Sequence, residues 1–217
     1  MTERLSPVEA RVLGSLVEKS LTTPELYPLT LNSLVAACNQ KTSRDPVMSL
    51  GHSEVEKVLS GLVERKFAGR IHERGARAAK YSHRIDALLA SEDPKAVAAV
   101  TVLLLRGAQT PGEIKTRGER LHRFESTAEV EALMAELAGR LDGPVVARLP
   151  RQPGQKESRY RELFTEEAPA VTEVPQPRPQ AAPAPEPGPD RVALLEERVS
   201  ALESALRELQ QRFAAKP

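Results

Sequence analysis

The sequence predicts a mainly α-helical protein with short β-hairpin wings: tandem winged helix-turn-helix domains followed by a C-terminal coiled-coil helix. Three observations predict it. Helix starts marked by serine, threonine and proline recur along the first three quarters of the chain. The same order of elements occurs twice. The last residues carry a strict heptad of apolar side chains.

The helix starts follow capping chemistry. Ser6-Pro7-Val8-Glu9 has the form of a capping box with proline at the first helical position. Val8, Val12, Leu13, Leu16 and Val17 then recur at helical spacing. Asp93-Pro94 opens another helix in the same way, ahead of the apolar run Ala96 to Leu105. That run is about half of the roughly 20 residues that span a bilayer, so it reads as a buried helix. Ser53-Glu54-Val55-Glu56 and Ser126-Thr127-Ala128-Glu129 are two more candidate boxes.

The signals come in pairs, as a duplication would give. Thr23-Pro24 matches Thr110-Pro111 at an offset of 87 (110 minus 23). Glu54-Val55-Glu56 matches Glu129-Val130-Glu131 at an offset of 75 (129 minus 54), and Lys80-Tyr81 matches Arg159-Tyr160 at an offset of 79 (159 minus 80). The first copy then holds 12 extra residues (87 minus 75) before its third helix. Each copy reads helix, Thr-Pro turn, helix, capped helix, and a short β-prone pair. The pairs are Ala68–His72 with Ala78–Ser82, and Val145–Leu149 with Ser158–Tyr160. Three helices and a hairpin follow the winged-helix plan. The expected divisions are 1–88 and 89–166 for the two domains, 167–190 for a linker and 191–214 for the coiled-coil helix.

The linker holds eight prolines between Ala168 and Asp190, and a segment of that composition is extended and semi-rigid. Beyond it, Val192, Leu195, Val199, Leu202, Leu206 and Leu209 alternate by three and four, with Val192 and Val199 at a and Leu195 and Leu202 at d. Val at a with Leu at d favours two strands, so the tail is expected to make a homodimer. An amphipathic helix docked on its own domain is the other reading.

Chemistry is scarce. The 217 residues contain one cysteine and no Trp; charged residues are 28% and nearly cancel, leaving +1. One cysteine permits neither an intramolecular disulfide nor a Cys-x-x-Cys metal site. The four histidines lack ligand spacing, and neither a phosphate-cradling Gly-x-x-x-x-Gly-Lys loop nor Gly-x-Gly-x-x-Gly occurs. Cys38 lies in an apolar helical stretch and reads as a buried, inert thiol. A non-enzymatic, cytoplasmic protein without cofactor, metal or membrane contact is expected.

Basic residues do cluster. Arg70, Arg74, Arg77 and Lys80 fall on the first hairpin, and Arg148 and Arg151 begin a similar patch on the second. Lys115, Arg117, Arg120 and Arg123 surround the second copy's middle helix. Hairpins of this charge suit a phosphate backbone, although a solvated arginine-rich hairpin would look the same. The third helices point the other way. A helix entering the major groove presents Arg, Lys, Asn or Gln at its start, whereas Glu54, Glu56, Glu129 and Glu131 stand there.

The stretch Tyr27-Pro28-Leu29-Thr30-Leu31-Asn32-Ser33-Leu34, Ala37-Cys38-Asn39-Gln40-Lys41 and Arg44-Asp45-Pro46-Val47, with Ala79-Lys80-Tyr81-Ser82-His83-Arg84, resembles the YceH-like family of uncharacterised bacterial proteins. The resemblance is specific in the first copy and looser to about residue 165. It implies a tandem winged-helix fold and, by fold analogy alone, nucleic-acid binding. Within the motif, Asn39, Gln40, Lys41, Arg44, Asp45 and Pro46 form a loop that has no counterpart in the second copy. That loop is either a site or a set of side chains tying it to the body. Two partner classes follow: double-stranded DNA, held by Lys41, Arg44 and the hairpin cations, or proteins for which the two domains are docking modules.

Overall fold

The computed structural model describes residues 4–72, 78–151 and 154–165, all within one compact unit. The expected linker and heptad, with Val192, Leu195, Val199, Leu202, Leu206 and Leu209, lie outside the described residues, as do Arg74 and Arg77.

Helix α1 (Pro7–Thr22) starts where its chemistry places it: Ser6 accepts from the Glu9 N–H, and the Glu9 carboxylate accepts from the Ser6 N–H at 2.7 Å. A three-residue 3-10 turn (Pro24–Leu26), β1 (Leu29–Thr30), α2 (Leu31–Cys38) and α3 (His52–Glu64) follow. The hairpin strands β2 (Ala68–Ile71) and β3 (Lys80–His83) and the short α4 (Ile85–Leu89) end the first repeat. The second repeat is α5 (Pro94–Arg106), α6 (Pro111–Gly118), α7 (Thr127–Ala138), β4 (Val146–Arg148) and β5 (Tyr160–Glu162). The architecture is mainly helical, with one three-stranded and one two-stranded antiparallel sheet among the described residues.

The duplication is written in hydrogen bonds. The Phe67 N–H donates to the Leu62 carbonyl, and the Val145 N–H donates to that of Leu137. The Arg84 N–H donates to the Phe67 carbonyl, and the Leu163 N–H donates to that of Val145. Tyr81 of β3 pairs with Leu29, while Tyr160 of β5 pairs with Gln109. This last match corrects the expected alignment. Leu29 and Gln109 differ by 80 (109 minus 29), so Thr30, not Thr23, is the counterpart of Thr110. Both are N-caps, accepting from the Ser33 and Glu113 N–H groups. Thr23-Pro24 opens only the 3-10 turn. The 12 extra residues therefore divide into 7 before α2 (87 minus 80) and 5 between α2 and α3 (80 minus 75).

Other expectations shift slightly. Helix α3 begins at His52 behind Gly51, which makes no side-chain cap, so Ser53 lies inside the helix and not at its cap. Asp93 caps α5, and Ser126 caps α7. Strands β3 and β5 start two residues later than expected.

The repeats pack through their first helices. Ala96 through Leu105 of α5 is buried on every side, which is what an all-round apolar helix requires. Gly14 of α1 lets the backbones approach: a Cβ there would stand 3.0 Å from Leu105 Cδ2 and 3.3 Å from Leu104 Cβ. The ends of the unit also meet, with the Leu5 N–H donating to the Phe164 carbonyl at 2.7 Å.

Beneath the loop between α2 and α3 lie two buried guanidiniums. Arg44 donates to both carboxylate oxygens of Glu18, at 3.0 and 2.6 Å, and to the carbonyls of Ala37 and Ser43. Arg11 donates to the carbonyls of Cys38 and Pro46 at 3.2 and 2.6 Å. Burial pushes the Glu18 carboxyl up, but the hydrogen bonds and charge of Arg44, with Lys19, outweigh it and hold the group below its ordinary value. Burial, then the neighbouring Arg44 charge, lowers Arg11. The first hairpin is fastened by Tyr27, whose hydroxyl accepts from the His83 N–H, and by Ser20 against the His83 ring at 2.9 Å.

Arg44→Ala is expected to cost ~3–5 kcal/mol, because it strands a largely buried carboxylate; urea unfolding measures it. Gly14→Leu is expected to destabilise by ~1–3 kcal/mol through overpacking of α1 on α5, read as a lower thermal midpoint. Burial also holds the His83 imidazole below its ordinary 6.5, against the opposing charge of Asp86. For His83 and Glu18 the folded pKa lies below the unfolded one, so each contributes stability above the unfolded value and loses it as pH falls through the folded one. The urea midpoint is therefore expected to fall below pH 6.5, and again below pH 4.5. His83→Gln should remove the first decline and leave the second.

Candidate functional site

The two hairpins carry arginine at the same register. In β2, Arg70 lies opposite Tyr81; in β4, Arg148 lies opposite Tyr160. Both tyrosines are buried and both arginines exposed. The buried tyrosine pins the register, since a one-residue slip would turn it to the other face. Lys80 is half-buried between Thr30 and Ile71, and Arg151 is exposed just beyond β4. Arg159, the counterpart of Lys80, is committed to Glu113 at 2.8 Å and to the Ala108 carbonyl.

The motif loop splits into two roles. Asn39 clamps its own loop: its side-chain amide donates to the Leu50 carbonyl and accepts from the Leu50 N–H, at 2.9 and 2.8 Å. The Asp45 N–H donates to the Leu105 carbonyl at the end of α5, and the Pro46 carbonyl receives Arg11. Arg44 was expected to contact phosphate. Its side chain is fully buried and its donors are taken by Glu18, Ala37 and Ser43, so no face of it is open to a nucleic acid. Lys41, Asp45 and Pro46 are exposed and Gln40 is half-buried, and of these Gln40 and Lys41 are the two with a pocket before them.

They turn to a cleft of about 290 Å³ formed between the repeats. Lys19 at the end of α1 and Lys41 stand on the side of the first repeat. Arg106, at the end of α5, and Arg117 and Arg120, on and after α6, stand on the side of the second. Val102, Leu105 and Leu121 supply apolar surface. Glu18 is the single carboxylate among these described lining residues, and it is shared by Arg44 and Lys19. Arg117 donates to the Gln109 side chain and lies 3.4 Å from Glu113. Burial, then Arg117 and Arg44, lowers Arg106. The basic segment around α6 was visible in the sequence. Lys19 and Arg106 were not, because each sits among unlike neighbours and joins the group only on folding.

No nucleophile or metal centre stands out among the described residues. Cys38 is buried, and its thiol is pushed up by burial. Among the described residues no group of His, Cys, Asp and Glu is placed to hold a metal ion, and no helix is long and apolar enough to cross a membrane. Glu54 is exposed on the first turn of α3 and Glu56 just after it, while Glu129 on α7 is paired with Lys95 at 2.6 Å.

The comparisons give kinship without an activity. Residues 5–155 match the family model described as protein of unknown function, DUF480. A UPF0502 protein of Klebsiella pneumoniae (strain 342) is 50% identical over 173 residues, covering 77% of this chain and 78% of the relative. The UPF0502 protein YceH of Salmonella paratyphi B (strain ATCC BAA-1250 / SPB7) is 45% identical over 222 residues, covering 98% and 96%. With the motif of Tyr27 to Val47 placed around Arg44 and the match spanning both repeats, the chain belongs to this YceH-like family of unknown function.

Proposed function

We propose that this is a non-enzymatic, DNA-binding protein of regulator type, built from two winged-helix halves whose hairpins lie on the phosphate backbone. One observation carries the reading: each repeat holds an exposed arginine, Arg70 or Arg148, opposite a buried tyrosine at the same hairpin register. Cations so placed can follow two stretches of backbone. Lys41, Lys80 and Arg151 would add to the contact, as would Arg74 and Arg77. The first turns of α3 and α7 carry carboxylates, so the hairpins and loops, and not a helix in the major groove, would do most of the binding. Dimerisation through the heptad of 191–214 would double the contacts and set a spacing between half-sites.

Those same carboxylates favour one rival, an adaptor whose two halves dock proteins. Fluorescence anisotropy of labelled random-sequence duplex against the full-length chain separates the two. Binding is expected to weaken with salt, by about 0.9 in log–log slope per phosphate contact. Arg70→Glu with Arg148→Glu is expected to abolish it at physiological salt. Absence of binding at low salt would remove the DNA reading and leave the adaptor.

A further inference from the structure

We propose that the cleft between the repeats is a binding site for a small phosphorylated ligand carrying at least two negative charges, of nucleotide size. This goes beyond the hairpin reading and does not depend on it.

The first ground is charge. Lys19, Lys41, Arg106, Arg117 and Arg120 converge on one concavity; its one lining carboxylate, Glu18, is shared by buried Arg44 and Lys19, and Arg117 reaches Glu113, which leaves Lys41, Arg106 and Arg120. Cations gathered in excess of the nearby carboxylates repel one another, and the cost grows as water is excluded. Arg106 shows this most plainly. It is partly buried, and its guanidinium has no hydrogen bond or ion pair to another described residue. Lys41 and Arg120 likewise have no described acidic partner. The contrast with the neighbouring arginines is informative: Arg44 and Arg159 both reach carboxylates and carbonyls. An anion seated in the cleft would supply the missing charge to several groups at once, and arginine fits phosphate bidentately.

The second ground is shape. A volume of about 290 Å³ is at the small end of ligand sites, which run from about 300 to 1,000 Å³. A nucleic-acid duplex is read by elements that protrude into its grooves, and a concave cleft does the opposite. Apolar surface from Val102, Leu105 and Leu121 beside the cations suits a ligand with an anionic end and a flat organic end.

The third ground is anchoring. Lys41 is held on a loop that is fixed at both sides, by Asn39 to Leu50 and by Arg44 to Glu18. The Asp45 N–H ties the same loop to Leu105, one residue before Arg106. The cleft is thus presented in a set geometry, and less ordering is needed on binding. A ligand touching Lys41 and Arg120 would bridge the two repeats.

Titration calorimetry of the full-length protein at low ionic strength, with inorganic pyrophosphate and with adenosine diphosphate as probes, tests this. Saturable one-to-one binding of both is expected, with the nucleotide tighter. Removing each arginine in Arg106→Gln with Arg120→Gln should weaken both probes by about tenfold, while Arg70→Glu leaves them unchanged. Lys41→Gln serves as the variant least able to disturb folding. It should weaken binding several-fold at an unchanged thermal midpoint. No saturable binding, or affinity unchanged in both sets of cleft variants, would overturn the proposal. So would a duplex DNA that displaces pyrophosphate and loses its own binding equally in the Arg106, Arg120 variant. That result would make the cleft a backbone-phosphate contact.

Discussion

The guanidiniums of Arg11 and Arg44 are taken out of water together, under one loop, with a single carboxylate between them. Removing two like charges from water is expensive, and only good geometry offsets it. Here Glu18 takes Arg44 at two oxygens, and the carbonyls of Ala37, Cys38, Ser43 and Pro46 take most of the remaining donors. Arg11 Nε is left without a partner. What the arrangement secures is position. The carbonyls come from the end of α2 and from the loop, while Glu18 and Arg11 belong to α1. The loop therefore cannot move without exposing carbonyls and stranding charge. Its attachment to Leu105 carries that constraint into the second repeat.

Much of the fold was legible because helix caps are local. Ser6 with Glu9, Asp93 with Pro94 and Ser126 act within three residues, so sequence order alone reveals them. The apolar run of α5 was equally plain. The repeat was legible in outline and misread in detail. A dipeptide match, Thr23-Pro24 with Thr110-Pro111, outweighed the weaker likeness of Thr30 to Thr110, although capping geometry makes Thr30 the true counterpart. Strand β1 has two residues and α4 has five, too few for either period to register.

The site was less legible, for a physical reason. Whether a cation is spent or available depends on partners far along the chain. Arg44 reads like Lys41 in the sequence, yet Glu18, 26 residues earlier, commits the one and leaves the other outward. Arg70 and Arg148 sit in similar stretches, Gly69-Arg70-Ile71 and Ala147-Arg148-Leu149, but only strand register sets each opposite a buried tyrosine. The cleft draws on α1, the loop after α2, α5 and the end of α6, and no sequence window contains it. Gly14 belongs to the same class: its value lies in what a methyl group would strike on another helix.

The pairing of Leu5 with Phe164 and Thr165 has a consequence for chain connectivity. It brings the first and last described segments into backbone contact, so the unit is nearly a closed ring. A short peptide could join those ends, and the ring could then be cut at the exposed junction between the repeats, around Ala90 and Glu92. Such a circular permutant would exchange the order of the repeats while keeping the α1–α5 crossing and the loop over Arg44. The duplicated halves need no fixed order along the chain, only a shared seam.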